Sequence, residues 1–194
     1  DDARPRPLPP TGQPTMSVLR MRAATGATRG WLTWPGGGCR CALGRGGVTA
    51  VKREGDGVTP AGRFVLETVY YRADRGPRPP GALPTAAIAP DWGWGDDPQD
   101  PAGYNRLCRR PYAFSHERLW RADHVYDLLV VLGHNRVPTV AGAGSAIFLH
   151  LARGGLAPTA GCVAVPWAAM IALLGHLSPA GVIDIALNKA GAAK

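Results

Sequence analysis

Apolar positions along this chain come in short runs rather than in long helical stripes. Phe64 to Tyr71 (FVLETVYY) mixes β-branched and aromatic residues, with Gly62 in front and an Arg-, Gly- and Pro-rich segment behind it as far as Pro84. That pattern predicts a strand followed by a long loop. Tyr126 to Gly133 (YDLLVVLG) is a continuous apolar run with the length of a buried strand. From Ser17 onward, Trp31–Trp34, Cys39–Leu43 and Val48–Lys52 are separated by a Pro-Gly-Gly-Gly turn at Pro35 and an Arg-Gly-Gly turn at Arg45, as in a β-meander. Ala146–Leu149 ends in His150, and Val182–Leu187 reads as a closing strand. Pro166 to Leu177 has helical period, with Pro at the first helical position, apolar Trp167, Met170, Ile171 and Leu174 on one face, and a Ser-Pro-Ala-Gly stop from Ser178. Asp91 to Arg106 (DWGWGDDPQDPAGYNR) is expected to be irregular. The fold expected is mainly β, a β-sandwich or partly closed barrel with one or two helices.

With 194 residues the chain suits one domain with a sizeable core. No apolar run reaches the ~20 residues of a membrane helix, and the longest candidate, Val163–Leu177, is interrupted by Pro166 and His176. Asp1 to Pro14 contain five prolines, so residues 1–15 are expected to be a flexible spacer arm and 16–194 the folded domain. A start at Asp1-Asp2-Ala3 fits either an exported chain after signal removal or a trimmed one. The formal net charge of +8 favours anionic polymers through an attraction that salt screens. The arginines are scattered, with no basic helix and no recognisable binding module, so nucleic acid gains no support as a partner.

Candidate chemistry concentrates in Ser145 to Pro166 (SAIFLHLARGGLAPTAGCVAVP). A strand ending in His150 fixes a base, and a Thr-Ala-Gly-Cys turn presents Cys162. An imidazole within reach of a thiol can take its proton and leave a thiolate–imidazolium pair with a depressed thiol pKa. Gly161, without Cβ, lets a substrate carbonyl approach the backbone, where N–H groups near Cys162 would receive an oxyanion. The following helix adds a secondary dipole contribution at Cys162. Among the other histidines, His134 beside Asn135 is the rival base or a substrate-binding group; His116, His124 and His176 read as surface residues. Trp94 and Tyr104 are expected either to line a cleft against sugar or peptide or to cap the core. Cys39 and Cys41 are too close on one strand to bridge each other. One of them pairs with Cys108 in an oxidising compartment, or all three are buried thiols. C-x-C…C is a poor zinc set, and the Asp91–Arg106 acids do not follow a calcium-loop pattern, so no metal or cofactor is expected.

His150 followed by Thr159-Ala160-Gly161-Cys162-Val163 resembles the signature of the L,D-transpeptidase catalytic domain, also called YkuD-type: a His, then Ser or Thr, any residue, Gly, Cys and an aliphatic residue. Lys52 to Phe64 (KREGDGVTPAGRF) is similar to the Gly-x-x-Thr-Pro-x-Gly-x-Phe segment early in the same domain. The resemblance runs from about Met16 to Leu187. Many members have His before the Gly-Cys pair and Arg or Asn two residues after the Cys, where this chain has Ala160 and Ala164, and the His-to-Cys spacing is short. The resemblance implies an exported enzyme of the periplasm or cell wall that acts on peptidoglycan stem peptides, and a monomer is expected. Cys162 is then the nucleophile, His150 the base, the Leu151 carbonyl its orienting group, and Gly161 part of the catalytic turn. His134, Asn135, Thr159, Trp94 and Tyr104 are the expected substrate contacts. It implies 3–3 crosslinks, or 1–3 crosslinks if the donor is the first stem residue, and acylation by carbapenems. The alternatives are an L,D-carboxypeptidase or endopeptidase using the same site, or a non-catalytic wall-binding module.

Overall fold

Most of the short apolar runs become strands of one closed barrel. The computed structural model describes residues 17–188, and the arm expected over 1–15 lies outside the described residues. In chain order the strands are β1 (Val18–Ala23), β2 (Arg29–Trp34), β3 (Gly37–Ala42), β4 (Val48–Thr49), β5 (Thr59–Pro60), β6 (Gly62–Tyr71), β7 (Thr85–Ala87), β8 (Trp92–Gly95), β9 (Leu107–Arg109), β10 (His116–Arg118), β11 (Leu128–Leu132), β12 (Phe148–Leu151), β13 (Val163–Val165) and β14 (Val182–Leu187). One α-helix, α1 (Trp167–Leu174), follows β13, and a 3-10 turn spans Gly154–Leu156.

The barrel runs β11-β12-β13-β3-β2-β1-β14-β6 and closes where β6 pairs back onto β11. Closure depends on the length of β6: its first half (Gly62–Val65) pairs with β14 and its second (Leu66–Tyr71) with β11. A closed barrel leaves no edge among these eight strands to recruit another chain. β7 lies parallel to β6 outside the ring.

Period-2 alternation sorts the side chains of the strands that carry the site. Leu128, Val130 and Leu132 of β11, Leu149 and Leu151 of β12, and Val163 and Val165 of β13 point inward with Leu19, Met21, Leu32, Ile183 and Ile185. Met170, Leu173 and Leu174 of α1 join this interior. The opposite faces of β11 and β12 carry Leu129, Val131 and Phe148, which form a second cluster with Trp94, Leu119, Tyr126 and Cys162. A three-stranded sheet, β10-β8-β9, roofs that cluster.

Two expectations need correction. Asp91–Arg106 was expected to be irregular, yet Trp92–Gly95 is the central strand of the roof. Glycines occupy alternate positions in Trp-Gly-Trp-Gly and hide the period, and the reason is packing: a Cβ on Gly93 would lie 2.7 Å from the His116 ring and 3.1 Å from Cys108 Sγ. The helix is also shorter than expected. Pro166 is its N-cap rather than its first residue, and Trp167 is 52% exposed instead of facing the core.

Leu149→Ala, which empties interior volume beside His150, is expected to lower unfolding free energy by about 2–5 kcal/mol. Trp167→Ala should cost about 1 kcal/mol or less. Denaturant titration of both variants checks this sorting of the two residues.

Candidate active site

The Cys162 turn is held from two sides. Thr159 is tied to the segment after β3 by its N–H to Leu43 O (2.8 Å) and by Arg45 N–H to its own carbonyl (2.9 Å). Its hydroxyl donates to Cys162 O at 2.7 Å and accepts Gly161 N–H at 3.1 Å. Thr159, expected to contact substrate, lines the cleft, but its hydroxyl is engaged within the turn, as is the Gly161 N–H. Gly161 sits at φ +146°, and a Cβ there would lie 2.9 Å from Val58 O. A carbonyl of this chain, Val58 O, thus lies where a side chain at position 161 would go. Val58 lies in the Lys52–Phe64 segment, so the two sequence motifs meet at this glycine.

Parallel pairing of β12 with β13 aligns Leu149 with Val163 and His150 with Ala164. With Leu149, Leu151, Val163 and Val165 inside, the alternation puts Phe148, His150, Cys162 and Ala164 on the outer face. Cys162 and His150 line one cavity of about 360 Å³ beneath the roof sheet. Cys162 Sγ accepts the Phe148 N–H at 3.3 Å and donates to Ala146 O at 3.2 Å. His150 Nδ1 lies 2.9 Å from Leu151 O; a carbonyl only accepts, so Nδ1 carries the proton and Nε2 keeps its lone pair. The Tyr126 ring meets His150 edge-on, centroids 5.3 Å apart.

This pair rests uncharged, contrary to the expected thiolate–imidazolium pair. Cys162 and His150 are 6% and 5% exposed. Burial pushes the thiol up to about 12, Glu117 adds to the rise, and the Phe148 N–H and Lys52 oppose it. Burial draws His150 down to about 4, opposed by the Leu151 carbonyl and reinforced by Arg153 and Arg121. Two new charges in a dry site cost more than their attraction returns unless further partners arrive. The expected helix contribution is also absent, because β13 separates Cys162 from α1 and a helix dipole fades within a turn.

The model of the L,D-transpeptidase catalytic domain, YkuD, matches residues 16–185. The chain belongs to the L,D-transpeptidase catalytic domain family. Neither a curated protein nor a solved structure gave a match. The family consists of cysteine-dependent transpeptidases with peptidoglycan as substrate. No helix among the described residues is long and apolar enough to cross a membrane.

Four of the expected substrate contacts do not line this cleft. His134 donates Nε2–H to Ala143 O at 3.0 Å and packs edge-on against Phe64; burial lowers its pKa. Asn135 braces its own loop through Val140 and Gly144. Trp94, 2% exposed, meets Phe148 edge-to-face and donates to Asn105 Oδ1 at 3.0 Å. Tyr104, 3% exposed, donates to Glu54 Oε2 at 2.6 Å and receives Gly144 N–H. The polar groups of these residues hold the walls of the fold, and the core-capping reading of Trp94 and Tyr104 is the one the packing supports. Cys39, Cys41 and Cys108 are free thiols; Cys108 lies in the roof, the other two in the barrel. Among the described residues no three His, Cys, Asp or Glu side chains converge on a metal position.

Sequence reasoning missed Lys52, Glu54, Asp96, Glu117, Arg121, Tyr126, Ser145 and Arg153, all of which line the cleft. Lys52 and Glu54 were within reach, since they stand in the Lys52–Phe64 motif; Lys52 Nζ bonds Arg53 O and Asp56. Asp96 and Glu117 gave no signal, because only the pairing of β8 with β10 brings them into the cleft lining.

The neutral pair has measurable consequences. With His150 at about 4 folded and an unfolded value near 6.5, the unfolded chain binds more protons between those limits. Stability present above pH ~6.5 is therefore lost toward pH 4, by up to about 3 kcal/mol for this group. Urea titrations at pH 7 and 4.5 should show that loss reduced in His150→Gln. Alkylation of Cys162 should climb steadily with pH toward 12; a plateau by pH 8 would mean that the thiol is not raised.

Proposed function

We propose that this family member is a peptidoglycan L,D-transpeptidase in which Cys162 is the nucleophile and His150 the base. The observation that carries the reading is that the two side chains share one cavity while the Leu151 carbonyl fixes the His150 tautomer with Nε2 as acceptor. Substrate entry displaces the thiol proton from Ala146 O toward Nε2. Proton transfer then accompanies attack, since no thiolate stands ready. Sγ bonds to the carbonyl carbon of an L-configured stem residue, the bond to the following D-residue breaks, and His150 returns its proton to the departing amine. An acceptor amine resolves the thioester into a crosslink.

Side chains that could set the donor are missing beside the pair. Ala164 stands next to His150 in the strand register and lines the cleft with Ala160. The polar side chains common in the family at both places are absent, so neither the third nor the first stem residue is selected by them. The enzyme makes 3–3 crosslinks from the third residue or 1–3 crosslinks from the first. Water in place of the amine gives an L,D-carboxypeptidase or endopeptidase from the same thioester. The site of action is the sacculus, outside the inner membrane, and the acting form is a monomer.

Intact-mass analysis after incubation with a carbapenem tests the nucleophile. One adduct on Cys162 is expected, absent in Cys162→Ala and slow to form in His150→Ala, whose turnover should fall by about 10²–10⁴-fold. An adduct on Cys39, Cys41 or Cys108, or crosslinking retained by Cys162→Ala, would contradict the assignment.

A further inference from the structure

The cleft of this basic protein is roofed by acid. In the β8–β10 ladder Trp94 pairs with Glu117, and Asp96 N–H continues it to Ser115 O at 3.2 Å. Asp96, two residues beyond Trp94, shares the face of Trp94 and Glu117 that covers Phe148 and Cys162. Both carboxylates line the cavity. Glu117 accepts the Tyr126 hydroxyl at 2.7 Å, and its charge acts on the Cys162 thiol.

Four cations, Arg45, Lys52, Arg121 and Arg153, also line the cleft. Arg121 forks onto Asp123 with two 2.7 Å bonds and pairs with Glu117 only at 3.7 Å, and Arg153 pairs with Asp123 at 3.7 Å. Lys52 is held by Asp56 and Arg53 O. Two polar atoms of the lining are buried without any hydrogen-bond partner: Asp96 Oδ1 and the hydroxyl of Ser145. Ser145 is only 6% exposed and immediately precedes Ala146, whose carbonyl takes the Cys162 thiol. Buried polar atoms are nearly always satisfied, so orphans beside an acid pair call for a ligand that donates hydrogen bonds and carries positive charge. Two carboxylates and a hydroxyl fit a primary ammonium.

We infer that Asp96, Glu117 and Ser145 form the subsite for the primary ammonium group of the acceptor; the inference rests on the transpeptidase reading and specifies its second substrate. The ammonium docks against the two carboxylates and places its nitrogen over the Cys162 thioester. It gives one proton to Glu117. The nitrogen lone pair then forms the new C–N bond as the C–S bond breaks with its electron pair to Sγ, and the second proton passes through His150 Nε2 to the sulfur. An amide, a thiol and a protonated Glu117 result, and Glu117 releases its proton to solvent. Water cannot engage both carboxylates as a cation does, so the roof favours aminolysis over hydrolysis.

Calorimetric titration of the full wild-type chain uses a stem tripeptide ending in a diamino acid, with its side-chain amine either free or N-acetylated. The free amine is expected to bind about tenfold tighter or better, the value of a charge-assisted hydrogen bond, and the preference should vanish in Asp96→Asn/Glu117→Gln. In turnover the ratio of crosslinked to hydrolysed product should fall about tenfold in that variant. Equal binding of the two peptides by wild type, a preference that survives the double substitution, or an unchanged product ratio would overturn the subsite. Mass analysis of wild type with a donor muropeptide reports separately: no thioester on Cys162 defeats the transpeptidase reading, while the titration still decides whether the roof holds an ammonium.

Discussion

The parallel pairing of β12 and β13 is the constraint on which the site depends. Adjacent parallel strands cannot be joined by a hairpin, so the chain must leave the sheet after Leu151 and return to start β13 at Val163. It does so in a short excursion through the 3-10 turn at Gly154–Leu156, tethered by Arg29 to Gly155 O at 2.7 Å and by Thr159 to Leu43. The last residue before re-entry is Cys162. A base near the end of one strand and a thiol at the mouth of the next are thereby carried on one face, and closure of the barrel by β6 keeps that face rigid.

The same arrangement sets the chemistry. Burial that orders the pair also holds it neutral, and the acidic roof opposes a thiolate further. Glu117 disfavours a lone negative charge on the thiol, and in the proposed subsite the same carboxylate receives a cation. The electrostatics that look unfavourable for the first half-reaction suit an amine in the second. Tyr126 links the two: its ring meets His150 while its hydroxyl reaches Glu117.

Much of the framework was legible in the sequence. Strands β6, β11, β12 and β14 follow directly from runs of β-branched and apolar residues, and the Gly-Cys turn with its upstream His was visible as a constellation. What escaped depended on long-range pairing. The Trp-Gly-Trp-Gly strand looked like loop because its alternate positions are glycines that make room for His116 and Cys108. His134 and Asn135 looked like substrate ligands because their chemistry fits, and only the fold shows their polar atoms engaged with the 140–144 loop. The neutrality of Cys162 and His150 was likewise illegible, since burial is a property of the assembled roof and barrel.

The role of Cys162 is read out by what the purified protein does to peptidoglycan. Sacculi incubated with wild-type and Cys162→Ala protein, then digested with a muramidase and analysed by mass spectrometry, should differ in one way. Wild type should yield muropeptide dimers joined through an L-configured donor residue, third or first in the stem, and Cys162→Ala should yield none. Identical muropeptide profiles from the two proteins would mean that Cys162 does not carry the acyl group.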